Sequence, residues 1–400
     1  MRLGIDTLLA DKSLVAQLKT KRVGLLAHPA SVTSSLNHSL DALIEAGVKP
    51  TCAFGPQHGM RGEKQDNMIE SDDYLDPLAK IPVFSLYGKV RRPTDEMLNH
   101  FDILLVDLQD VGCRIYTYLT TLYYILEDCA RTHKAVWVLD RPNPAGRPVE
   151  GNRLEKGWES FVGMGPVPMR HGMTLGEIGQ WIVKKYALNL EYRVIKMTDY
   201  SMTQAPGFGW PEHQLGWVNP SPNMPTLCTA RVYAGTVLLE GTNLSEGRGT
   251  TRPLQIFGAP KIDSSKILNA MNREAPQWMK GCIVRPCYFE PTFHKFRQEL
   301  CSGFQIHVDD PTYNHEAFKP YRLMNLFFRC LKKYQPGILE WRQPPYEYET
   351  VRLPIDLLNG GTRVREWVDD FSQTPQDLEN YLSKEENAWI VERREFLLYP

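Results

Sequence analysis

The sequence lacks several features that would place it in a common class of protein. No run of about 18 apolar residues occurs, so no transmembrane helix or membrane insertion is expected. The 46 basic and 47 acidic side chains leave a net charge of −1, which argues against a nucleic-acid partner. The first residues have no apolar signal-peptide stretch before Asp11 and Lys12. We therefore expect a cytoplasmic protein, although an exported protein trimmed of its leader would read the same way.

Motifs of the common cofactor-dependent enzymes are also missing. No G-x-G-x-x-G follows the first apolar run and no G-x-x-x-x-G-K-[ST] occurs, so dinucleotide and P-loop nucleotide binding lose their best support. A G-x-S-x-G nucleophile elbow is absent as well. The eight cysteines form no C-x-x-C pair and are interpreted as mostly buried thiols in a reducing compartment. We expect no metal and no nucleotide cofactor.

Short apolar runs alternate with amphipathic segments over the first 140 residues, which predicts a parallel sheet with helices on both faces. The predicted strands are residues 22–27, 51–54, 83–87, 101–107 and 135–139. In such sheets ligands bind outside the carboxyl ends of the strands. Helices are predicted near residues 36–47, over 118–131, and over 175–187, where Thr174 and Glu177 form a capping box.

The alternation weakens in the second half of the chain, which predicts a smaller α+β domain. Residues 304–308 have the pattern of a strand and residues 321–334 that of a helix. A length of 400 residues exceeds what one hydrophobic core usually supports. Residues 204–225 are rich in Pro, Gly, Trp and Asn and are typical of an ordered loop or a domain junction. We predict two domains, residues 1–226 and 227–400.

Four segments carry more hydrogen-bonding side chains than a turn requires. They are residues 55–63, 107–118 and 140–146, each after a predicted strand, and residues 240–252 in the second half. Each also has a structural interpretation: a tight turn, a helix cap paired with Arg114, a rigid proline turn, and a surface loop. Glycoside hydrolysis needs a proton donor for the leaving oxygen. Five carboxyls in these segments are candidates: Glu63, Asp107, Asp110, Asp140 and Glu246.

Eight motifs, in this order along the chain, resemble the NamZ family, glycoside hydrolase family 171, formerly a domain of unknown function. The motifs are GPQHGMRG, FSLYG, DLQDVGCRIYTY, LDRPNP, PMRHGMT, PSPNMP, EGTNLSEGRGTTRP and GFQIHV. The resemblance implies a Rossmann-like N-terminal domain and a smaller C-terminal domain with the active site in the cleft between them. It also implies removal of terminal N-acetylmuramic acid from the non-reducing end of peptidoglycan fragments, as in cell-wall recycling.

One residue departs from the family's pattern. Members often have Glu in the position of Gln57, as P-E-H-G-x-R-G, and that Glu is a leading candidate for the catalytic acid. An amide cannot donate or accept a proton in that role. Three hypotheses follow: the acid work shifts to Glu246, Asp110 or Glu63; Gln57 orients the substrate's acetamido group, which itself attacks; or the chain is a sugar-binding paralogue that turns over poorly.

We predict a glycosidase acting on a small muramic-acid saccharide. The predicted catalytic residues are Glu246 and Asp110, with Gln57 and His58 beside them. Guanidinium groups bind carboxylates in a bidentate manner, so three arginines are candidates for the lactyl carboxylate: Arg61, Arg114 and Arg248. The other predicted substrate-binding residues are Gln109, Tyr116, Asp140, Asn143, His171, Asn223 and Asn243. The alternatives are a non-catalytic sugar-binding module and a nucleotide-dependent enzyme, the latter from fold analogy alone.

Overall fold

The computed structural model describes residues 1–62, 70–203 and 208–400. The strands are β1 (Val23–Ala27), β2 (Cys52–Gly55), β3 (Tyr74–Leu75), β4 (Pro82–Ser85), β5 (Ile103–Asp107), β6 (Ala135–Leu139), β7 (Glu150–Arg153), β8 (Pro168–Arg170), β9 (Tyr192–Ile195), β10 (Ile256–Ala259), β11 (Ile283–Phe289) and β12 (Cys301–His307).

The α-helices alternate with these strands in the first half and dominate the end of the chain. They are α1 (Gly4–Ala10), α2 (Lys12–Lys19), α3 (Ser39–Glu45), α4 (Asp95–Leu98), α5 (Tyr118–Arg131), α6 (Leu175–Lys185), α7 (Leu227–Thr236), α8 (Ser264–Glu274), α9 (Pro320–Tyr334), α10 (Pro354–Asn359), α11 (Arg363–Asp369) and α12 (Pro375–Arg393). Short 3-10 helices are Val237–Gly241, Pro276–Met279 and Arg394–Phe396.

The first half is built on a mostly parallel sheet, which confirms the predicted α/β class. Within the described residues the order of its seven strands is β3-β4-β2-β1-β5-β6-β9, and the β3–β4 pair alone is antiparallel. The chain runs from β1 to one side and then crosses to β5 on the other side. The carboxyl ends of β1 and β5 therefore form a switch point, where open α/β sheets bind ligands.

Alternate residues of the central strands pack into two separate cores, one on each face of the sheet. Leu104 and Val106 lie in one core, whereas Ile103 and Leu105 lie in the other. This alternation follows from the two-residue repeat of a strand. Both faces are covered, which explains why the strands read as continuous apolar runs rather than as alternating ones.

The second half contains a three-stranded antiparallel sheet, β10-β12-β11, packed with helices. One of the two large apolar cores includes side chains from both halves, such as Val106 of β5 and Phe327 of α9. Helix α12 then returns to the first half, where Trp389 Nε1 donates to the carbonyl of His171 at 2.9 Å. The predicted α+β character of the second half is confirmed, and the boundary at 226/227 stays a prediction.

Several predicted elements are confirmed closely. Helix α5 and strand β6 have the predicted bounds. Helix α6 begins with the predicted capping box, because Thr174 accepts from the Glu177 amide while Glu177 accepts from the Thr174 amide. All eight cysteines are free thiols, and most are buried.

The prediction was wrong for Leu36. Helix α3 begins only at Ser39, after His38 caps it by accepting from the Leu40 amide. Leu36 lies outside the helix with a φ of 65° and is 55% exposed. The apolar spacing alone suggested a longer helix, but a side-chain cap decides where the helix starts.

Candidate active site

A deep cavity lies at the carboxyl ends of the central strands, between the two halves of the chain. The first half contributes residues of four loops and the second half contributes helical and loop residues. The lining residues are Gln57, His58, Ile115, Tyr116, Thr117, Val162, Ser221, Asn223, Met224, Tyr233, Glu240, Arg248, Leu254, Tyr346 and Glu347.

The sheet fixes the position of the first group of lining residues. Gln57 and His58 follow β2, and Tyr116 and Thr117 lie between β5 and α5. Both strands flank β1, so these two loops emerge side by side. From the second half, Glu240 lies in the 3-10 helix Val237–Gly241, which is buried against α10.

Glu347 supplies a buried carboxyl to this cavity. The residue is 8% exposed, and its Oε2 accepts from the Tyr87 hydroxyl at 2.9 Å. Burial, with the negative charge of Glu240, raises the pKa of Glu347 to about 7 against the hydrogen bonds from Tyr87 and Gln57. A carboxyl with this pKa is about half protonated at neutral pH and can donate a proton.

A strained turn presents Glu347 to the cavity. Tyr346 and Glu349 exchange two backbone hydrogen bonds of 2.9 Å, and the two residues between them, Glu347 and Tyr348, have φ values of 43° and 68°. Positive φ at both central positions is typical of Gly, Asn or Asp, so side chains of this size are strained there. Such strain is concentrated at functional sites.

Glu240 is the second carboxylate of the cavity and is held by two partners. Its Oε1 accepts from Arg248 Nη2 at 2.6 Å, and its Oε2 accepts from the Tyr346 hydroxyl at 2.7 Å. The cavity therefore combines a carboxyl whose pKa is raised with a carboxylate that is paired with a cation.

The amide of Gln57 is oriented by its neighbours. Its Oε1 accepts from the Thr117 hydroxyl at 2.9 Å, so its amide nitrogen is left to donate to the carboxyl of Glu347. Gln57 is thus in hydrogen-bond contact with the one cavity carboxyl whose pKa is raised. A Glu at this position would place two carboxyls side by side.

The structure brings five of the predicted site residues together around the cavity: Gln57, His58, Tyr116, Asn223 and Arg248. They come from four separate parts of the chain. Their roles stay predictions, but their common location agrees with the cleft that the motifs implied.

Glu246 does not line the cavity, and its surroundings argue against a role as proton donor. Burial alone would raise its pKa, but Lys295 at 3.0 Å, together with His294 and Arg248, outweighs burial and holds the pKa well below its usual range. A carboxylate that stays ionised has no proton to give. Its contacts instead fix Arg248 from the side opposite Glu240.

Asp110 and His171 are buried and are not among the residues that line the cavity. Asp110 Oδ2 accepts from the Gly112 amide at 2.7 Å and lies 3.5 Å from His171 Nε2. His171 Nδ1 accepts from the Met173 amide at 3.2 Å. These contacts shape the loop after β5, so we do not retain Asp110 as the acid.

Two of the three predicted arginines are occupied elsewhere. Arg114 is fully buried and donates to the carbonyls of Asn152, Val167 and Leu358 at 2.8–2.9 Å. Arg61 faces away from the cavity and pairs with Asp41 and Asp76. These positions argue against a contact with a substrate carboxylate and leave Arg248 as the remaining candidate.

The other predicted residues have structural surroundings. Gln109 donates to the carbonyls of Asp110 and Pro142, and Asn143 closes its own loop by accepting from the Ala145 amide. Asn243 bridges to Ile338 and Glu340.

The candidate carboxyls Asp140 and Asp107 are also held by the fold. Asp140 accepts from Thr174, Gly176 and Tyr399 at the start of α6, and burial raises its pKa to about 6. Asp107 pairs with Arg141. Glu63 lies outside the described residues.

The sequence analysis did not select Glu347, Glu240, Thr117 or Tyr346. Glu240 opens a segment that we had singled out, but nothing in it distinguished Glu240 from Glu246. Glu347 lies in Tyr346-Glu347-Tyr348, an acid between two aromatic residues, which is a pattern suited to sugar binding.

Among the described residues no group of three or more His, Cys, Asp and Glu side chains could hold a metal ion. No helix in that part of the chain is both long and apolar enough to cross a membrane.

The chain matches known proteins over nearly its whole length. Residues 23–228 match the family model of the N-terminal part of the exo-β-N-acetylmuramidase NamZ, and residues 231–399 match that of its C-terminal part. The peptidoglycan β-N-acetylmuramidase NamZ of Bacillus subtilis (strain 168) is 44% identical over 309 residues, which cover 77% of this chain and 72% of the relative.

Two crystal structures of DUF1343 family proteins from Bacteroides fragilis have the same fold. One has a TM-score of 0.85 at 29% identity and the other a TM-score of 0.74 at 25% identity. Both alignments cover all of this chain, and they cover 99% and 98% of the respective relatives. The fold therefore extends through both halves of the chain.

Proposed function

The chain belongs to the NamZ family of exo-β-N-acetylmuramidases, and we propose from this premise that it releases terminal N-acetylmuramic acid from the non-reducing end of peptidoglycan-derived saccharides. The chemistry is the hydrolysis of a glycosidic bond. It requires a group that protonates the leaving oxygen and a negative charge that stabilises the oxocarbenium-like transition state.

We propose Glu347 as the proton donor. The observation that carries this proposal is a buried carboxyl, with a pKa raised to about 7, on the wall of the cavity. Glycosidases commonly raise the pKa of their acid in this way so that it is protonated at the working pH. The strained turn keeps the carboxyl in the cavity rather than in solvent.

Glu240 is the proposed partner of Glu347 in the reaction. Its carboxylate is paired with Arg248 and Tyr346 and faces the same cavity. A fixed negative charge there would stabilise the positive charge that develops at the anomeric carbon. Arg248, held between Glu240 and Glu246, is the proposed partner of the lactyl carboxylate.

Gln57 has a positioning role in this proposal. Thr117 orients its amide, and the amide nitrogen donates to Glu347. The acid role for which the family's Glu at this position is a candidate then falls to Glu347, which is not among the residues predicted for it from the sequence. His58, Tyr116 and Asn223 complete the wall that would surround the sugar.

The test compares two substrates in the wild type and in Glu347→Gln. The wild type is expected to release the chromophore from an aryl β-N-acetylmuraminide but not from the matching β-N-acetylglucosaminide. Glu347→Gln should lose roughly 100-fold to 10,000-fold in kcat on a muramic-acid disaccharide, because a sugar is a poor leaving group without protonation. The loss on an aryl muraminide should be smaller, because a phenolate leaves without a proton.

Glu395→Gln is the matched control, since Glu395 is exposed and pairs with Lys184 far from the cavity. It should behave as the wild type on every substrate. An equal loss on both substrates in Glu347→Gln would contradict a proton-donor role. Absence of turnover in the wild type would contradict the muramidase proposal itself.

A further inference from the structure

A second cavity adjoins the active site and shares Glu347 with it. Its wall is formed by aromatic side chains and by two arginines: Arg91, Tyr124, Ser160, Phe161, Glu347, Tyr348, Glu349 and Arg352. Glu347 lines both cavities. The second cavity is open to solvent at Tyr348, which is 50% exposed, whereas the shared residue Glu347 is buried.

Two chain segments contribute neighbouring residues to the two cavities. Val162 faces the first cavity and Phe161 the second. In the strained turn, Tyr346 faces the first cavity and Tyr348 the second, with Glu347 between them. The two cavities therefore adjoin at the carboxyl that we assign as the proton donor.

The aromatic rings of the second cavity are held in position. The Arg91 guanidinium lies 3.4 Å from the centre of the Tyr348 ring. Phe161 packs against Tyr124 and edge-on to Tyr348, with centroids 6.4 Å apart in each pair. An exposed aromatic ring that is fixed on one side offers a rigid apolar surface to a ligand.

Both arginines of this cavity are paired with a carboxylate. Arg352 pairs with Glu349 at 2.6 Å, and Arg91 pairs with Glu70 at 3.0 Å. These carboxylates offset the positive charges of the two guanidinium groups. The surface therefore suits a neutral ring with an apolar face and polar edges rather than a charged peptide or a carboxylate.

We propose that the second cavity binds the leaving sugar as a neutral hexopyranose ring stacked on Tyr348 beside Phe161. The inference rests on the proposed function, because the proton donor of a glycosidase must face the oxygen that joins the two sugars. The terminal muramic acid then occupies the deep cavity, the bond lies at Glu347, and Tyr348 sets the preference for a saccharide leaving group.

The experiment measures kcat/KM on two substrates that share the muramic acid. One is the disaccharide of N-acetylmuramic acid β-linked to N-acetylglucosamine, which fills both cavities. The other is β-N-acetylmuraminyl fluoride, whose leaving group is an atom and cannot stack. Tyr348→Ala should lower kcat/KM on the disaccharide roughly tenfold relative to its effect on the fluoride, since a stacked ring contributes about that much.

Two further variants separate stacking from damage to the turn. Tyr348→Phe retains the ring and should keep the wild-type ratio between the two substrates. Tyr288→Ala removes a tyrosine that is 77% exposed on β11, outside both cavities, and should also keep it.

An equal loss of both activities in Tyr348→Ala, or no loss of either, would overturn the stacking proposal while the muramidase proposal stands. If the wild type cleaves neither substrate, the muramidase proposal has failed instead.

Discussion

The protonation states of the carboxyl side chains in and near the cavity depend on surroundings that differ from one carboxyl to the next. Glu347 has no cation at salt-bridge distance among the described residues, and burial raises its pKa to about 7. Glu246, which contacts Arg248 of the cavity wall, is surrounded by three cationic or cation-forming side chains. Two carboxyls with the same intrinsic chemistry therefore differ at neutral pH, since Glu246 is ionised whereas Glu347 keeps a protonated fraction.

The activity should fall as the pH rises through about 7. The reaction needs the protonated form of Glu347, and its pKa is raised to about 7, so ionisation above that pH removes the proton donor. The check is kcat against pH on the disaccharide substrate between about pH 3 and pH 9. An alkaline limb near pH 4.5, the ordinary value for a glutamate, would contradict the assignment.

Gln57→Glu should move the alkaline limb to higher pH. The substitution replaces an amide that donates to Glu347 with a second carboxyl, and a like charge disfavours ionisation of its neighbour. The same pH profile measures the shift. Gln376→Glu, an exposed position on α12, is the control and should leave the profile unchanged. A limb that does not move would mean that the two side chains are not in contact.

At the scale of elements, the start of α6 and the turn at Glu347 show two extremes of local coding. The cap of α6 uses the residues that any helix start favours, so Thr174 and Glu177 were recognised from their spacing. The turn at Glu347 uses none of the residues that favour positive φ. Its conformation depends on the packing of the surrounding fold, and no local sequence pattern predicts it.

Thr174→Ala should lower the free energy of unfolding by about 1 to 2 kcal/mol. It removes the acceptor for the Glu177 amide and the donor to Asp140. Chemical denaturation of the wild type and the variant measures the difference. Thr174→Ser keeps the hydroxyl and should recover most of the loss; an equal loss in Thr174→Ser would show that the methyl group, not the cap, matters.

At the scale of the whole molecule, the two halves are tied together by a shared core and by the return of α12. Trp389 and Arg393 of that helix donate to backbone carbonyls of the first half, including that of His171. The active-site cavity also depends on the packing of the two halves, because Gln57 comes from one half and Glu347 from the other.

The protein should therefore unfold in one cooperative transition although two domains were predicted. Differential scanning calorimetry is the measurement, with agreement of the calorimetric and van't Hoff enthalpies as the criterion. Two resolved transitions would show that the halves fold independently and would favour the predicted boundary at 226/227.

The sequence by itself determined the α/β class, most central strands, helices α5 and α6, and the family. These features depend on local apolar periodicity, on capping residues and on motifs that are contiguous in the chain. It also identified five residues that line the cavity, because they stand in polar segments and motifs that are contiguous in the chain.

Only the tertiary structure decided which carboxyl could serve as the acid. Glu246 and Asp110 look as suitable as Glu347 in the sequence, but the protonation of a carboxyl is set by burial and by neighbours that are distant in the chain. Glu347 meets Tyr87, 260 residues away, and Gln57 only when the two halves pack together. That contact depends on the tertiary fold, so no pattern of neighbouring residues in the sequence could predict it.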